Sequence, residues 1–130
     1  MKKKIYLAGG MQNLTFEEAW EWRKAVEDAV NERSDNFVCF NILKHHMKDE
    51  VEYCLSNLRR SDVVVVNFND PKSLGTMAEI TLAYEHRIPI IGYISKPDDN
   101  EMLHPWIRYM VKEVCTTFND LIDTIMDYED

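Results

Sequence analysis

The chain has little of what marks several protein classes. Only four of its 130 residues are glycine and four are proline, which excludes collagen-like and low-complexity chains. Cysteine occurs three times, at Cys39, Cys54 and Cys115, with no C-x-x-C pair. That odd, widely spaced set supplies neither a disulfide framework nor a zinc site, so reduced thiols are expected. No run approaches the roughly 18–20 apolar residues that a membrane helix needs. The basic start Met1-Lys2-Lys3-Lys4 leads into an apolar run of only Ile5 to Ala8, too short for a signal peptide and without a cleavage site. The expectation is a cytoplasmic protein with no membrane partner. Positive charge is also scarce, with 15 Lys and Arg against 23 Asp and Glu and a formal net charge of −8. Such a chain lacks the basic footprint that a nucleic acid polymer requires. A small anionic metabolite remains compatible, because backbone N–H groups at one helix terminus hold an anion locally.

What is present suits one soluble domain over residues 1–130: 45% apolar and 29% charged residues in an ordinary length. Ile5-Tyr6-Leu7-Ala8, ended by Gly9-Gly10, reads as a buried first strand and its loop. Thr15-x-x-Glu18 is a capping box. It opens an amphipathic helix to about Arg33, with Ala19, Trp22, Val26, Ala29 and Val30 on one face. Ser34-Asp35-Asn36 is a turn, and Phe37 to Phe40 the second strand. A helix from about Asp49 or Glu50 to Arg60 places Val51, Leu55 and Leu58 at helical spacing.

Val63-Val64-Val65-Val66 is β-branched without alternation, as in a central parallel strand covered on both faces. A turn at Asp70-Pro71 precedes a helix from about Thr76 to Tyr84 or His86. Ile88 to Ile94 is the fourth strand, Lys96 to Glu101 a polar loop, and His104 to Met110 a helix. Val114 to Thr117 is the last strand, and Asn119 caps a helix through Met126. Strand–helix alternation implies an α/β fold, a mostly parallel sheet with helices on both faces. Ligands then bind beyond the carboxyl ends of the strands, at the loops Gly9 to Asn13 and Asn67 to Gly75.

The second loop runs into Ser73-Leu74-Gly75-Thr76-Met77-Ala78-Glu79. Gly75 permits close backbone approach to a ligand. Glu79, taken in the first helical turn, would be favoured as a carboxylate by the helix field and suited to nucleophilic attack. Thr76-x-x-Glu79 is equally a capping box, in which Glu79 would only tie down the backbone of Thr76. The two readings differ in whether the side chain sees the cleft. Tyr6 shares a strand face with Ala8 near the strand's carboxyl end. It is either an orienting partner for a carboxylate or a half-buried aromatic with its hydroxyl at the surface.

His45, His46, His86 and His104 show no metal-ligand spacing, so no metal is assigned. His45-His46 reads as a solvated loop, and Trp20, Trp22 and Trp106 as helix-packing residues. Asp98-Asp99 and the tail Asp127 to Asp130 read as solvated charge.

Taken together, these segments resemble the nucleoside 2-deoxyribosyltransferase family. Lys4-Ile5-Tyr6-Leu7-Ala8-Gly9-Gly10-Met11 is similar to its opening strand and glycine loop, and Trp22-Arg23 to the W-R pair of its first helix. Ser61-Asp62-Val63-Val64-Val65-Val66 with Ser73-x-Gly75-Thr76-x-x-Glu79 resembles its S-D-V-V-V and S-x-G-T-x-x-E signature. Ala83 to Gly92 resembles its continuation. The resemblance implies a flavodoxin-like (Rossmann-like) three-layer sandwich on a five-stranded sheet. It implies double displacement with no cofactor: Glu79 attacks the anomeric carbon, a nucleobase leaves, and a second base or water takes the sugar, parallel to retaining glycoside cleavage. Tyr6 falls where the family orients its glutamate. Gly9, Gly10, Met11, Cys54, Asp70, Ser73, Gly75 and Thr76 are the expected substrate-binding residues. The partners implied are a nucleoside or nucleotide, a free nucleobase, and further copies of the chain in a dimer or higher homo-oligomer.

One departure stands out. Cys54 in Glu50-Val51-Glu52-Tyr53-Cys54-Leu55 occupies the place of a family aspartate that helps protonate the leaving base. A thiol is a weaker donor with an unperturbed pKa of about 8.5, and general acid help is worth about 10²–10⁴-fold. Asp70 is the residue considered as a substitute acid. Ser73, six residues before Glu79, is where the related 2′-deoxynucleoside 5′-phosphate N-hydrolases bind phosphate; equally, it is a plain turn serine. The leading expectation is a deoxyribosyl transferase acting on nucleosides. The alternatives are a monophosphate N-glycosidase and a nucleotide-binding module with impaired catalysis.

Overall fold

The unalternating valine run is the centre of a five-stranded sheet in a computed structural model of the chain, which describes residues 1–11, 13–44, 50–70, 72–95 and 103–129. The proposed Asp49 cap, His45-His46 and Asp98-Asp99 lie outside the described residues, as does the whole loop expected at 96–101. Strand β1 is Lys3–Gly9, helix α1 Phe16–Arg33, β2 Phe37–Phe40, α2 Glu50–Arg59, β3 Val63–Asn67 and α3 Leu74–Glu85. They are followed by β4 Ile90–Tyr93, α4 Pro105–Met110, β5 Glu113–Cys115 and α5 Phe118–Met126.

All neighbouring strands pair in parallel, in the order β2-β1-β3-β4-β5. This is the flavodoxin-like order, with its ligand crevice at the carboxyl edge beside β1 and β3. Every residue of β3 is buried, as both-face coverage demands. Burial of each such valine contributes roughly 1.5–3 kcal/mol. Alternation along β1 assigns the faces. Ile5 and Leu7 pack with Val26 and Val30 of α1 and Leu121, Ile122 and Ile125 of α5. Tyr6 and Ala8 face the opposite layer, with Leu58 of α2, Ile80 and Ala83 of α3 and Ile107 of α4. These are the three layers of the sandwich.

The Thr15–Glu18 capping box forms in full: Glu18 N donates to Thr15 Oγ1 at 3.1 Å and Thr15 N to Glu18 Oε1 at 2.9 Å. Several local expectations need correction. Helix α3 starts at Leu74 with Ser73 as its cap, ahead of the expected Thr76. Helix α5 is capped by Thr117, whose hydroxyl accepts from Asp120 N, so Asn119 lies inside the helix. In α2 only Asn57 and Leu58 are fully buried, and Val51, read as part of its packing face, is 72% exposed. Trp106 is 75% exposed because α4 is a short helix that buries only Ile107.

Candidate active site

The sheet register brings the two expected loops side by side, since Gly9 pairs with Asn67 at the strand ends. Gly10 N then donates to Asn69 Oδ1 at 3.2 Å. A side chain at position 10 would meet Cβ of Asp70 at 2.6 Å, so glycine is required for the loops to touch. On the α2–α3 side of this junction lies a cavity of about 510 Å³. A cavity of that size can enclose a small metabolite. Its wall includes Gly9, Met11, Cys54, Ser73, Gly75 and Glu79, with Thr76 at the base of α3.

Glu79 lies beyond the first turn of α3, because the helix begins at Leu74. The helix field fades over that distance, so the reading that it holds the carboxylate charged is corrected. The capping alternative is not what the geometry contains either. Ser73 caps the helix by accepting from Thr76 N at 3.3 Å, and Thr76 Oγ1 donates to Ser73 Oγ at 2.9 Å. The Glu79 carboxylate instead accepts a short hydrogen bond from the hydroxyl of Tyr6, 73 positions away in sequence. Tyr6 is 1% exposed, not half-buried, and its ring stacks on Phe40 at 5.2 Å.

Burial pushes the Glu79 carboxyl above its ordinary range, while the Tyr6 hydrogen bond and the Arg23 cation pull it back. Desolvation weighs most because the carboxyl is largely withdrawn from water where it meets the cavity wall. The same desolvation, reinforced by the charge of Glu79, pushes the Tyr6 phenol upward, so it stays a donor. Cys54 also interacts with the Tyr6 hydroxyl. Burial raises its thiol, and the interaction with Tyr6 opposes that rise. Tyr6 therefore bridges the thiol and the carboxylate.

Three expected residues lie outside this wall, and the first of them, Tyr6, meets it through its hydrogen bond to Glu79. Gly10 supports the loop junction behind it. Asp70 accepts from Asn13 Nδ2 at 3.1 Å and from Lys72 N at 3.2 Å. It organises the loop before α3 and is not among the residues that line the cavity. Among the described residues, the carboxylate besides Glu79 that lines the cavity is Glu50, at the start of α2. Added chain atoms at Gly75 would meet nothing within 4 Å; the residue opens onto free space at the cavity wall.

Sequence reasoning missed the apolar wall. Ile42, Val51, Leu55 and Leu74 all line the cavity. Val51 and Leu55 were visible as an i, i+4 pair, but their spacing does not tell a core face from a cleft face. It also assigned no separate role to Arg23, which was visible only as half of the W-R pair. Among the described residues no three His, Cys, Asp or Glu side chains converge as a metal site requires.

No protein-family model and no curated protein matches the sequence. Solved structures do match. A 2-deoxyribosyltransferase from Bacillus psychrosaccharolyticus superimposes with a TM-score of 0.75 at 14% identity, over 92% of this chain and 90% of that one. The Clostridium botulinum CMP N-glycosidase BcmB gives 0.64 at 15% identity, over 97% and 99%. A molybdenum cofactor binding protein from the phototrophic bacterium Rippkaea orientalis gives 0.62 at 14% identity, over 98% and 97%. One fold thus serves unlike ligands, and function has to be argued from the site. The chain has the α/β fold of the nucleoside 2-deoxyribosyltransferases that its sequence motifs resemble.

Proposed function

We propose that the protein cleaves the N-glycosidic bond of a 2′-deoxynucleoside and transfers the deoxyribosyl group to another nucleobase, with Glu79 as nucleophile. The observation that carries this reading is the hydrogen bond from Tyr6 to Glu79, whose carboxylate lines a cavity at the sheet's carboxyl edge. With one carboxylate oxygen held by Tyr6, the other is free to bond to the anomeric carbon as the carbon–nitrogen bond breaks. The base leaves with the bonding pair and takes a proton. A second base then attacks the same carbon, the ester bond to Glu79 breaks, and the carboxylate is restored. The apolar wall of Ile42, Val51 and Leu55 suits the faces of a base. Likeness of fold to a 2-deoxyribosyltransferase and a CMP N-glycosidase agrees with this chemistry.

A second reading, hydrolysis of a nucleoside 5′-monophosphate, is favoured by one feature. The α3 start lines the same cavity through Ser73, Leu74, Gly75 and Thr76, and a helix start attracts phosphate. Incubation with deoxynucleosides and with monophosphates, each with and without an acceptor base, separates the two. Transfer requires the acceptor, whereas hydrolysis releases sugar phosphate without it. Ligand binding with no turnover in any arm would instead favour the impaired binding module. Under the hydrolase reading, Ser73→Ala lowers kcat/KM for a monophosphate about tenfold more than for its nucleoside, the value of a hydrogen bond to a charged group. The lost helix cap affects both substrates alike, so the ratio isolates the phosphate contact.

Tyr6→Phe tests the orienting role. The hydroxyl favours the charged form of Glu79, so its removal moves the carboxyl further upward. The acidic limb of the kcat/KM profile is expected to move to higher pH, with turnover reduced even on the plateau. An unchanged profile would remove Tyr6 from the mechanism.

Met11, Val51 and Leu74 line the cavity and are 37%, 72% and 84% exposed. An apolar rim of this kind is suited to coverage by another protein surface, and we assign that surface to a second copy of the chain. Val51→Glu with Leu74→Glu is expected to lower the mass seen by light scattering; a monomeric parent chain would refute the assignment.

A further inference from the structure

Position 23 lies on the buried face of α1, in line with Ala19, Val26 and Val30. An apolar side chain would satisfy that face, yet Arg23 fills it at 1% exposure. Its Nη1 donates to Ala19 O at 2.7 Å and its Nη2 to Gly9 O at 3.1 Å. The guanidinium carbon lies 4.8 Å from the centroid of the Trp22 ring, and Nε has no partner. Among the described residues Arg23 enters no ion pair. A buried cation without a paired carboxylate costs stability, and well-packed apolar replacements for buried charge are often neutral or stabilising. The charge is therefore not explained by the core.

What it does reach is the site. Gly9, whose carbonyl it grips, ends β1 and lines the Glu79 cavity. The titratable and charged groups that bear on Glu79 are Tyr6, hydrogen-bonded to it, Cys54 and Glu50, which line the same cavity, and Arg23, whose charge acts from α1 across the sheet. Arg23 is the cation among them. We propose that Arg23 is the positioning residue of this site: anchored on the Gly9 carbonyl, its buried charge holds Glu79 as the carboxylate. Its catalytic consequence, though not the ionisation itself, rests on the glycosidic reading. Ester formation neutralises Glu79 and removes the negative charge that the buried cation favours. Return of the carboxylate in the second displacement is thereby favoured, and the glycosyl-enzyme is kept from accumulating.

The test reads ionisation directly. Glutamate carboxyl carbons are labelled with ¹³C and titrated by NMR, the Glu79 signal being identified by its loss in Glu79→Gln. Arg23→Gln is expected to move the Glu79 midpoint upward, whereas Arg23→Lys, which keeps the charge, stays near the parent chain. In parallel, the acidic limb of the kcat/KM profile moves to higher pH in Arg23→Gln, so the variant loses more activity at acidic than at alkaline pH. A folded Arg23→Gln whose Glu79 titration is unmoved overturns the assignment, even if its melting temperature falls. A shift just as large in Arg23→Lys overturns it too. If Arg23→Gln does not fold, Arg23→Met, matched to the apolar face around it, supplies the same reading. A shifted titration in a protein inactive on every nucleoside and nucleotide keeps the role of Arg23 and sinks only the glycosidic reading.

Discussion

Glu79→Gln is expected to lose turnover by about 10⁴-fold or more, the scale seen when a nucleophile is removed, and yet to melt at a higher temperature than the parent chain at neutral pH. Both effects come from the same burial. Desolvation raises the Glu79 carboxyl in the folded state above the ordinary value that an unfolded chain would show. Between the two values the folded state keeps a proton that the unfolded state has lost, so stability falls as pH rises through that window. Above the folded value the cost of the buried charge is fully present. An amide avoids it and still accepts the Tyr6 hydrogen bond. The stability gain of Glu79→Gln should therefore be present at pH 7 and vanish as pH falls below the ordinary carboxylate range, where the parent side chain is itself protonated. Melting curves at pH 7 and at acidic pH measure this difference. A lower melting temperature at pH 7 would mean that Glu79 serves the fold, and retained turnover would end its assignment as nucleophile.

The second large effect is expected in the opposite direction. Cys54→Asp should raise kcat/KM for a deoxynucleoside by about 10²-fold, the lower end of general acid assistance. Cys54 lines the cavity and interacts with Tyr6, and burial keeps its thiol protonated but poorly acidic. An aspartate there would be partly desolvated and would feel the negative charge of Glu79. Both influences raise a carboxyl and keep a proton available for a departing base. The gain should be greatest for bases that leave poorly without protonation, so a series of nucleosides ranked by leaving-base acidity is the measurement. The slope of rate against that acidity flattens in Cys54→Asp. An unchanged slope would mean that the base departs on another side of the cavity, away from α2. The cost is that a second carboxyl near Glu79 raises Glu79 further, so the acidic limb of the profile should move to higher pH as the plateau rises.

Much of the architecture was legible locally. The valine run, the capping box at Thr15 and the alternation of strand and helix depend on neighbours a few residues apart, and such patterns survive in any context. The boundaries were less legible. Ser73 and Thr76 are both hydroxyl residues ahead of the same helix, and the turn that precedes it, with Ser73 N bonded to Asp70 O at 3.1 Å, makes Ser73 the cap. Val51 and Leu55 show the same limit on α2. Their spacing identifies a helix face, but whether that face meets a core or a cleft depends on what lies across from it.

From the sequence by itself came the element types and their order, hence a parallel α/β sheet, and the candidacy of Tyr6 and Glu79 at the ends of its strands. The tertiary structure alone decided that Glu79 is bound by Tyr6 and not by its own helix start, that Glu79 lies buried beyond the reach of the helix field, and that Arg23 is a buried cation bonded to the carbonyl of Gly9 in the cavity wall. The reason is separation along the chain. Hydrogen bonds and fields between β1, α1, α2 and α3 arise only when packing brings distant segments together and removes the water between them.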